Sequence, residues 1–373
     1  MTSPSGHRER VILAQRFHIH TLLTCYHPRY INLSQNTSIN ESTIIAQRWN
    51  GDRPPTRIIN LDRLPRDDNN VADLYRHLSE GIVGPLPDGW GEVSKWPVDR
   101  ITTGDWSAVV FRSPLLAEAA YKIVIDKRCP TLKALGMTPA ESGRLLRGSF
   151  QASSPETLGS FPILKSKGAE GQTRIAAQPD EHWSPKEPVM LDNDLYGQQI
   201  NSKTEKLLQK AGYLLITAGQ DNSTARLTAV ASDHTYVGNG WMPVSGLTSP
   251  QAKAPAVCLN STLGRLQLMR NPGRKLAFPT YSVKKAELIR IPDLTENKVC
   301  VSLSACWEAT AEMDVPQFRD GECAVRRLWD EAVADVLDWD ANWLAELRQL
   351  LHDEPHVRSL GYGEFGEECA LDT

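Results

Sequence analysis

The sequence has no uninterrupted run of about 18 apolar residues, so a hydrophobic helix that spans a bilayer is excluded. The residues from Met1 to Arg10 also lack the apolar core of a secretory signal peptide. Apolar residues nevertheless make up 40% of the 373 residues, which is enough for a sizeable core. We therefore expect a folded cytoplasmic protein of two or three domains, with no membrane partner.

Closely spaced cysteine pairs are missing as well. The seven cysteines are scattered, and no two of them have the Cys-x-x-Cys spacing of a metal site. His18, His20 and His27 do not have the spacing that places metal ligands on one helix face. The sequence therefore predicts reduced thiols and no metal site.

Positive charge is scarce in the C-terminal segment. Residues 311–373 contain 16 Asp and Glu but only 5 Arg, a formal charge of −11, which leaves +7 for residues 1–310. A basic body suits a polyanionic partner, with the acidic segment packed elsewhere. Two solvated acidic helices explain the same counts, and both interpretations stay open.

Strand-like and helix-like segments alternate in the first part of the chain. Ile19–Cys25, Thr43–Arg48 and Arg57–Leu61 predict strands, and Val71–Leu78 has apolar residues at the spacing of a helix. Such alternation is typical of part of an α/β sheet. Residues 82–104 are rich in glycine, proline and tryptophan, so we interpret them as a linker or long connection.

One downstream run combines an apolar segment with three potential helix caps. Ala256–Leu259 is short and apolar, and we interpret it as a buried strand. Asn260, Ser261 and Thr262 follow, and each side chain can accept a hydrogen bond from a free N–H group at a helix start. Apolar residues then recur at helical spacing up to Met269. The run therefore predicts a strand that turns directly into a helix.

Two aromatic-rich segments flank this run, Gly238–Val244 before it and Leu276–Ser282 after it. Together the three segments resemble the target recognition region of N6-adenine-specific DNA methyltransferases from restriction-modification and phage-defence systems. In that family an apolar strand leads into an "LNST" helix start, and a "YPxxS"-like segment follows.

An N-terminal segment carries the same resemblance. The polar run Asn32–Ser42, followed by Ala46–Arg48, is similar to the "NFSENTxIxE" loop and following strand of type I modification subunits. It departs from that pattern at Leu33 and Gln35, where Phe and Glu are usual. In the family this loop lies among the last strands of the methyltransferase sheet.

The resemblance implies S-adenosylmethionine as the methyl donor, but the motifs that would use it are missing. The family holds the donor with a Gly-rich turn and the target adenine with an Asn/Asp-Pro-Pro-Tyr/Phe motif, and this sequence contains neither. Asp52–Thr56 contains Pro-Pro without the aromatic residue. We therefore assign no catalytic residue, and we expect the donor site to come from a missing segment or a catalytic methyltransferase partner.

The candidate DNA contacts lie in the basic stretch 144–290, which has 18 Lys and Arg against 11 Asp and Glu. They are Arg226, Trp241, Asn260, Ser261, Thr262, Arg265, Arg270, Arg274, Lys275 and Tyr281. The cations suit phosphates, and the aromatic rings suit a displaced base. Structural alternatives are helix capping for the small polar residues, core packing for the rings, and a solvated loop for the exposed turn expected from Arg270 to Lys275.

The fold class implied by the resemblance is α/β. A partial Rossmann-like methyltransferase sheet with the linker is expected in residues 1–104, a mixed α+β target recognition domain in 105–295, and an acidic helical tail in 296–373. Within the tail, Val325–Leu337 predicts an amphipathic helix, and Asp340 is expected to cap a second one.

The function implied is that of the DNA-binding, sequence-selecting part of a site-specific adenine N6 DNA methyltransferase. Its partner would be double-stranded DNA, and this chain alone would bind no cofactor. A free-standing DNA-specificity or accessory subunit without catalysis is the main alternative, and a decayed fragment is a third.

Overall fold

The computed structural model describes residues 6–25, 42–49, 51–157, 159–165, 171–186, 195–219, 222–270 and 280–358. Within these residues the chain is a mixed α/β structure with two mixed sheets and a helical C-terminal region, which confirms the expected fold class. The polar run Asn32–Ser42 lies outside the described residues, except for Ser42.

The first sheet is formed by the N-terminal strands. It contains β1 (Phe17–Cys25), β2 (Ser42–Arg48), β3 (Thr56–Leu61), β4 (Gly84–Pro85) and β5 (Gly91–Trp96). The spatial order is β2-β1-β3-β5-β4, in which β1 and β3 are parallel and the other neighbours are antiparallel. The accompanying helices are α1 (His7–Arg16), α2 (Asp68–Glu80), α3 (Val98–Thr102) and α4 (Pro114–Ile125). The three strands and the helix expected before residue 80 are thus confirmed.

Both faces of the first sheet are covered. On one face, Ile59 and Val93 belong to a small core against which Leu74 and Leu78 of α2 pack. On the other face, Ile58 joins the main core of the molecule. In agreement with cover on both sides, β3 is buried at every position except the half-buried Arg57.

The expectation of a linker at residues 82–104 is wrong. This stretch contains β4, a 3₁₀ turn at Pro87–Gly89, β5 and α3, and its Trp90 and Trp96 are buried. At position 91 only glycine fits, because an added Cβ would lie 2.8 Å from the Asn60 carbonyl oxygen of the neighbouring strand. The Gly, Pro and Trp composition therefore reflects tight turns and close packing.

The second sheet follows in the chain and has seven strands. They are β6 (Thr138–Pro139), β7 (Phe150–Ser153), β8 (Phe161–Leu164), β9 (Glu181–Pro185), β10 (Gly212–Thr217), β11 (Ala229–Gly238) and β12 (Trp241–Ser245). The spatial order is β6-β12-β10-β11-β8-β9-β7, and only the pairing of β11 with β8 is parallel. Two helices, α5 (Gly143–Ser149) and α6 (Leu195–Leu208), accompany the β7 end, where Leu146, Phe150 and Leu207 belong to a separate small core.

The remaining helices follow the second sheet in the chain. They are α7 (Ser249–Asn260), α8 (Thr262–Met269), α9 (Val283–Ala286), α10 (Asn297–Thr310), α11 (Ala324–Leu337), α12 (Ala341–His352) and α13 (Pro355–Arg358). Helix α7 packs on β10 and β11, α10 and α11 pack on α7, and α12 packs on α8 and α4. No helix in the described part of the chain is long and apolar enough to cross a lipid bilayer.

The acidic C-terminal segment is part of the main core. Trp329 of α11 and Leu344 of α12 are fully buried. The Asp340 side chain accepts a hydrogen bond from the Asn342 N–H group, so the expected cap of the second tail helix is confirmed. The tail helices are therefore neither wholly solvated nor packed apart from the basic body.

The expected strand at Ala256–Leu259 is wrong, because these residues form the last turns of α7. The helix begins after Thr248, whose N–H group donates to the Gln251 side chain, and Pro250 occupies the first turn. All four residues from Ala256 to Leu259 are buried. A run that is buried on every side has no period, so its sequence does not separate a strand from a helix.

Candidate nucleic-acid interface

Asn260 ends α7 and fastens it to the second sheet. Its side-chain oxygen accepts a hydrogen bond from the Thr228 N–H group at 2.8 Å. Its amide nitrogen donates to the carbonyl oxygens of Ala229 at 2.6 Å and Ala256 at 2.8 Å. Asn260 is buried, so its hydrogen-bonding groups satisfy the backbone at the start of β11.

Ser261 and Thr262 connect α7 to α8 and to the acidic tail. The Ser261 hydroxyl caps α8 by accepting from the Gly264 N–H group, which confirms one of the expected caps. The Thr262 N–H and hydroxyl groups donate to the Asp330 carboxylate at 2.6 and 2.7 Å. Arg348 also donates to Asp330. Burial raises the pKa of the Asp330 carboxyl, and the hydrogen bonds from Thr262 and the charge of Arg348 oppose that rise.

Arg265 and Arg226 hold the sheet against the C-terminal region. The Arg265 guanidinium lies 3.9 Å from the centre of the Phe318 ring and donates to the Arg226 carbonyl at 3.3 Å. Arg226 is half-buried and donates to the Val315 carbonyl at 3.0 Å. Burial lowers the pKa of Arg265 well below its usual range. Arg265 is therefore committed to interior contacts.

The two candidate aromatic residues in the described chain are also buried. Trp241 begins β12, where it pairs with Thr217 of β10, and its side chain belongs to the main core. Tyr281 belongs to the same core, and its N–H group donates to the Ala218 carbonyl at 2.9 Å. Both rings occupy core positions, which was their structural alternative.

The expectation that Arg270 lies on an exposed turn is wrong. Arg270 follows α8 and donates to the Ala120 carbonyl at 3.0 Å. It also forms a salt bridge of 2.9 Å with Asp105, and only 13% of its side chain is accessible to solvent. Arg274 and Lys275 lie outside the described residues.

The structure therefore brings most of the candidate residues together at one place, around the α7–α8 connection, but inside the protein. In this conformation the side chains of Trp241, Asn260, Ser261, Thr262, Arg265 and Tyr281 do not reach the surface. A role of these ten residues in contacting DNA stays a prediction.

A basic surface that was not among the candidates lies at the β7 end of the second sheet. Six cations of α5, α6 and the neighbouring loops form it, and we call it the α5–α6 surface. Its members are Arg144, Arg147, Lys186, Lys203, Lys206 and Lys210. All are exposed except Lys210, which is half-buried.

Hydrogen bonds to neutral acceptors hold three of the six cationic side chains in place. The Lys210 ammonium donates to the Glu141 carbonyl at 2.9 Å, and the Lys186 ammonium donates to the Arg147 carbonyl at 2.8 Å. Arg147 donates to the Asn239 side chain at 2.7 Å. These acceptors are neutral, and among the described residues no carboxylate lies within 4.0 Å of any of the six cationic groups.

The sequence contained one signal for this surface. Lys203 and Lys206 are three residues apart in a helix, which places them on the same face. The basic composition from Arg144 onward pointed to the right region, but it did not separate Arg265 and Arg270, which are buried, from Arg144 and Arg147, which are exposed.

The described residues contain no group of three or more His, Cys, Asp and Glu side chains that could hold a metal ion.

Comparison with known proteins gave only distant similarities. No protein-family model and no curated protein matches the chain. Among solved structures, the chain is similar to one described as the type IIG restriction endonuclease BpuSI, with 12% identity and a TM-score of 0.46, over 98% of this chain and 46% of that one. It is also similar to a chain from a type I R-M system, with 12% identity and a TM-score of 0.22, over 76% of this chain and 68% of the other. At these TM-scores neither similarity assigns a function.

Proposed function

We propose that this chain is the DNA-binding, sequence-selecting part of a site-specific adenine N6 DNA methyltransferase of the restriction-modification or phage-defence kind. The sequence resemblance at Asn32–Ser42 and Ala256–Ser282 supports the family. The observation that carries DNA binding is the α5–α6 surface, where five of the six cations are exposed and no carboxylate of the described residues lies within 4.0 Å of any of the six.

The charge arrangement of this surface suits the phosphates of double-stranded DNA. Exposed Lys and Arg side chains that are not held by carboxylates can neutralise phosphates without first breaking an ion pair. Lys186 and Lys210 donate to backbone carbonyls near the two ends of α5, which places these two ammonium groups beside the helix that carries Arg144 and Arg147. Phosphate contacts of this kind position a protein on DNA but carry no sequence information.

Methylation itself is assigned to residues outside this sequence. The sequence has neither the Gly-rich turn nor the Asn/Asp-Pro-Pro-aromatic motif of the family it resembles. We propose that S-adenosylmethionine is bound by a further segment or by a catalytic partner chain. The same absence favours the second candidate function, a DNA-specificity or accessory subunit without catalysis.

The test is the salt dependence of binding to a short DNA duplex, measured by fluorescence anisotropy. If about four to six cations contact phosphates, the log–log slope of affinity against salt should be about −4 to −5. The double variant Lys203→Ala/Lys206→Ala should weaken binding to all duplexes equally and make the slope shallower by about 2.

The matched control is Lys127→Ala/Lys298→Ala, which removes two exposed lysines outside the α5–α6 surface. It has the same change in net charge, so it separates a specific surface from general charge. Equal losses in both double variants, or a wild-type slope near zero, would exclude the α5–α6 surface as the DNA-binding face.

A further inference from the structure

A cavity of about 400 Å³ lies where α1, the C-terminal ends of α4 and α8, and the segment after α9 meet. We call it the basic cavity, because its lining contains Arg10, Arg270, Lys285 and Arg290. Among the described lining residues Asp105 is the one carboxylate. Three guanidinium groups and one ammonium group thus line a partly enclosed space that has one described carboxylate.

Backbone carbonyls fix the arginines of the basic cavity in place. Arg10 donates to the Gly104 carbonyl at 2.6 Å, Arg270 to the Ala120 carbonyl at 3.0 Å, and Arg290 to the Cys129 carbonyl at 2.8 Å. The carbonyl groups orient the guanidinium groups, and the one carboxylate of the lining, Asp105, forms its 2.9 Å salt bridge with Arg270. The positions of the three charges are therefore set by the fold before any ligand enters.

The concentration of positive charge has an electrostatic cost. Burial lowers the pKa of Arg10, of Arg270 and of Lys285; the charge of Asp105 opposes this for Arg10 and Arg270, and the charge of Arg290 adds to it for Arg270. An anion that enters the basic cavity would stabilise these buried charged groups, so its binding is favoured by fixed charges. Guanidinium groups also match the geometry of phosphate oxygens.

We propose that the basic cavity binds the phosphate group of a nucleotide-sized phosphate ester. Its volume lies in the range of about 300–1,000 Å³ that is usual for small-molecule sites. Val124, Leu288 and Ile289 supply an apolar part of the lining, which suits the organic part of such an ester. The same phosphate chemistry is offered by a free nucleotide and by the terminal phosphate of an oligonucleotide.

This site is independent of the proposed DNA-binding face. None of its lining residues belongs to the α5–α6 surface. The Lys203→Ala/Lys206→Ala variant should therefore keep ligand binding in the basic cavity, and failure of either proposal leaves the other standing.

The experiment is isothermal titration of the full chain with pyrophosphate, deoxyadenosine monophosphate and deoxyadenosine. We expect the first two to bind and deoxyadenosine, which has no phosphate, to bind at least about tenfold more weakly, since a charge-assisted hydrogen bond contributes at least that factor. A single-stranded oligonucleotide with and without a terminal phosphate distinguishes the two sources. Equal binding of the nucleoside and the nucleotide, or no binding of any phosphate compound, overturns the proposal.

Neighbouring lysines provide a matched pair of variants. Lys285 lines the basic cavity, whereas the adjacent Lys284 is exposed and does not. Lys285→Met should weaken nucleotide binding about tenfold, and Lys284→Met should leave it unchanged. Equal effects of the two substitutions would contradict the assignment.

A second variant tests the same cavity in case Lys285→Met fails to fold. Leu288 lines the basic cavity but is 55% exposed, so Leu288→Glu adds a carboxylate without opening the core. It should reduce nucleotide binding at least about tenfold by repelling the phosphate. Leu328→Glu, at an exposed position of α11, is the control and should have no effect. Unchanged binding in Leu288→Glu would refute a ligand in this cavity.

Discussion

Glu354 makes the stability of this protein depend on pH in a direction that is unusual for a carboxylate. It lies just before α13, is fully buried, and accepts hydrogen bonds from the N–H groups of Arg112 at 3.0 Å and Ser113 at 3.2 Å. Burial raises the pKa of Glu354 from 4.5 to about 8, with a further contribution from the charge of Asp62, whereas Arg112 and the two hydrogen bonds lower it. Near neutral pH the folded protein therefore carries Glu354 mainly in its protonated form.

The sign of the effect follows from comparing the two states. The folded protein binds this proton more tightly than the unfolded chain, so the contribution to stability is full below pH 4.5 and is lost as the pH rises through about 8. One pKa unit corresponds to about 1.36 kcal/mol. With these two pKa values, the free energy of unfolding should fall by roughly 3 kcal/mol between pH 6 and pH 9 because of Glu354.

Urea unfolding of the wild type and of Glu354→Gln at pH 6, 7, 8 and 9 measures this contribution. The Gln side chain mimics the protonated carboxyl and keeps an oxygen that can accept from Arg112 and Ser113. Asp62, whose own pKa is raised to about 6 by burial, is present in both proteins, and because its charge acts on Glu354 the measured difference belongs to Glu354 together with this coupling. The wild type should lose roughly 3 kcal/mol more than the variant over this pH range.

Glu346→Gln, at an exposed position of α12, is the control and should keep the wild-type pH profile. Parallel profiles of the wild type and Glu354→Gln would show that Glu354 does not hold a proton in the folded state, and the reasoning from burial would be refuted.

Two further predictions follow from the site. Arg270→Ala removes the 2.9 Å salt bridge to Asp105 and should lower the free energy of unfolding, measured in urea, by about 3 kcal/mol. The control Arg76→Ala, at an exposed position, should lower it by about 0.5 kcal/mol or less. Equal effects of the two substitutions would contradict the interior role of Arg270. The chain alone should transfer no label above background from radiolabelled S-adenosylmethionine to an adenine-rich duplex, because the donor and catalytic motifs are absent from the sequence. Clear transfer of label would reveal an active site of another kind.

Periodicity predicted those elements that have one buried and one exposed side. Helix α11 was predicted almost to its ends because Trp329 and Val333 recur on a single buried face. Helix α2 was predicted for the same reason, although its N-cap Asp67 and its left-handed C-terminal Gly81 were not identified. For such elements the sequence predicts which side is buried, because the side that faces water is polar.

Exposure of cations was not predictable from the sequence. Arg265 and Arg144 both lie in the basic stretch, yet Arg265 stacks on Phe318 in the interior and Arg144 faces solvent. An arginine can be buried when aromatic rings and carbonyl groups from distant segments surround it, and those segments are known only from the tertiary structure. The count of cations therefore indicated a basic region without indicating its surface.

The α7–α8 connection suggests why an "LNST" run can characterise this region without touching DNA. Asn260 satisfies the N–H group of Thr228 and the carbonyl of Ala229, Ser261 caps α8, and Thr262 binds the Asp330 carboxylate of the tail. Each of the three side chains therefore pairs with a buried polar group at the place where two buried helices meet a sheet. Apolar replacements would leave these backbone groups unsatisfied in the interior. The polarity of this run is accounted for by the fold itself, so under the proposed function the cations that contact phosphates would lie on exposed elements such as α5 and α6.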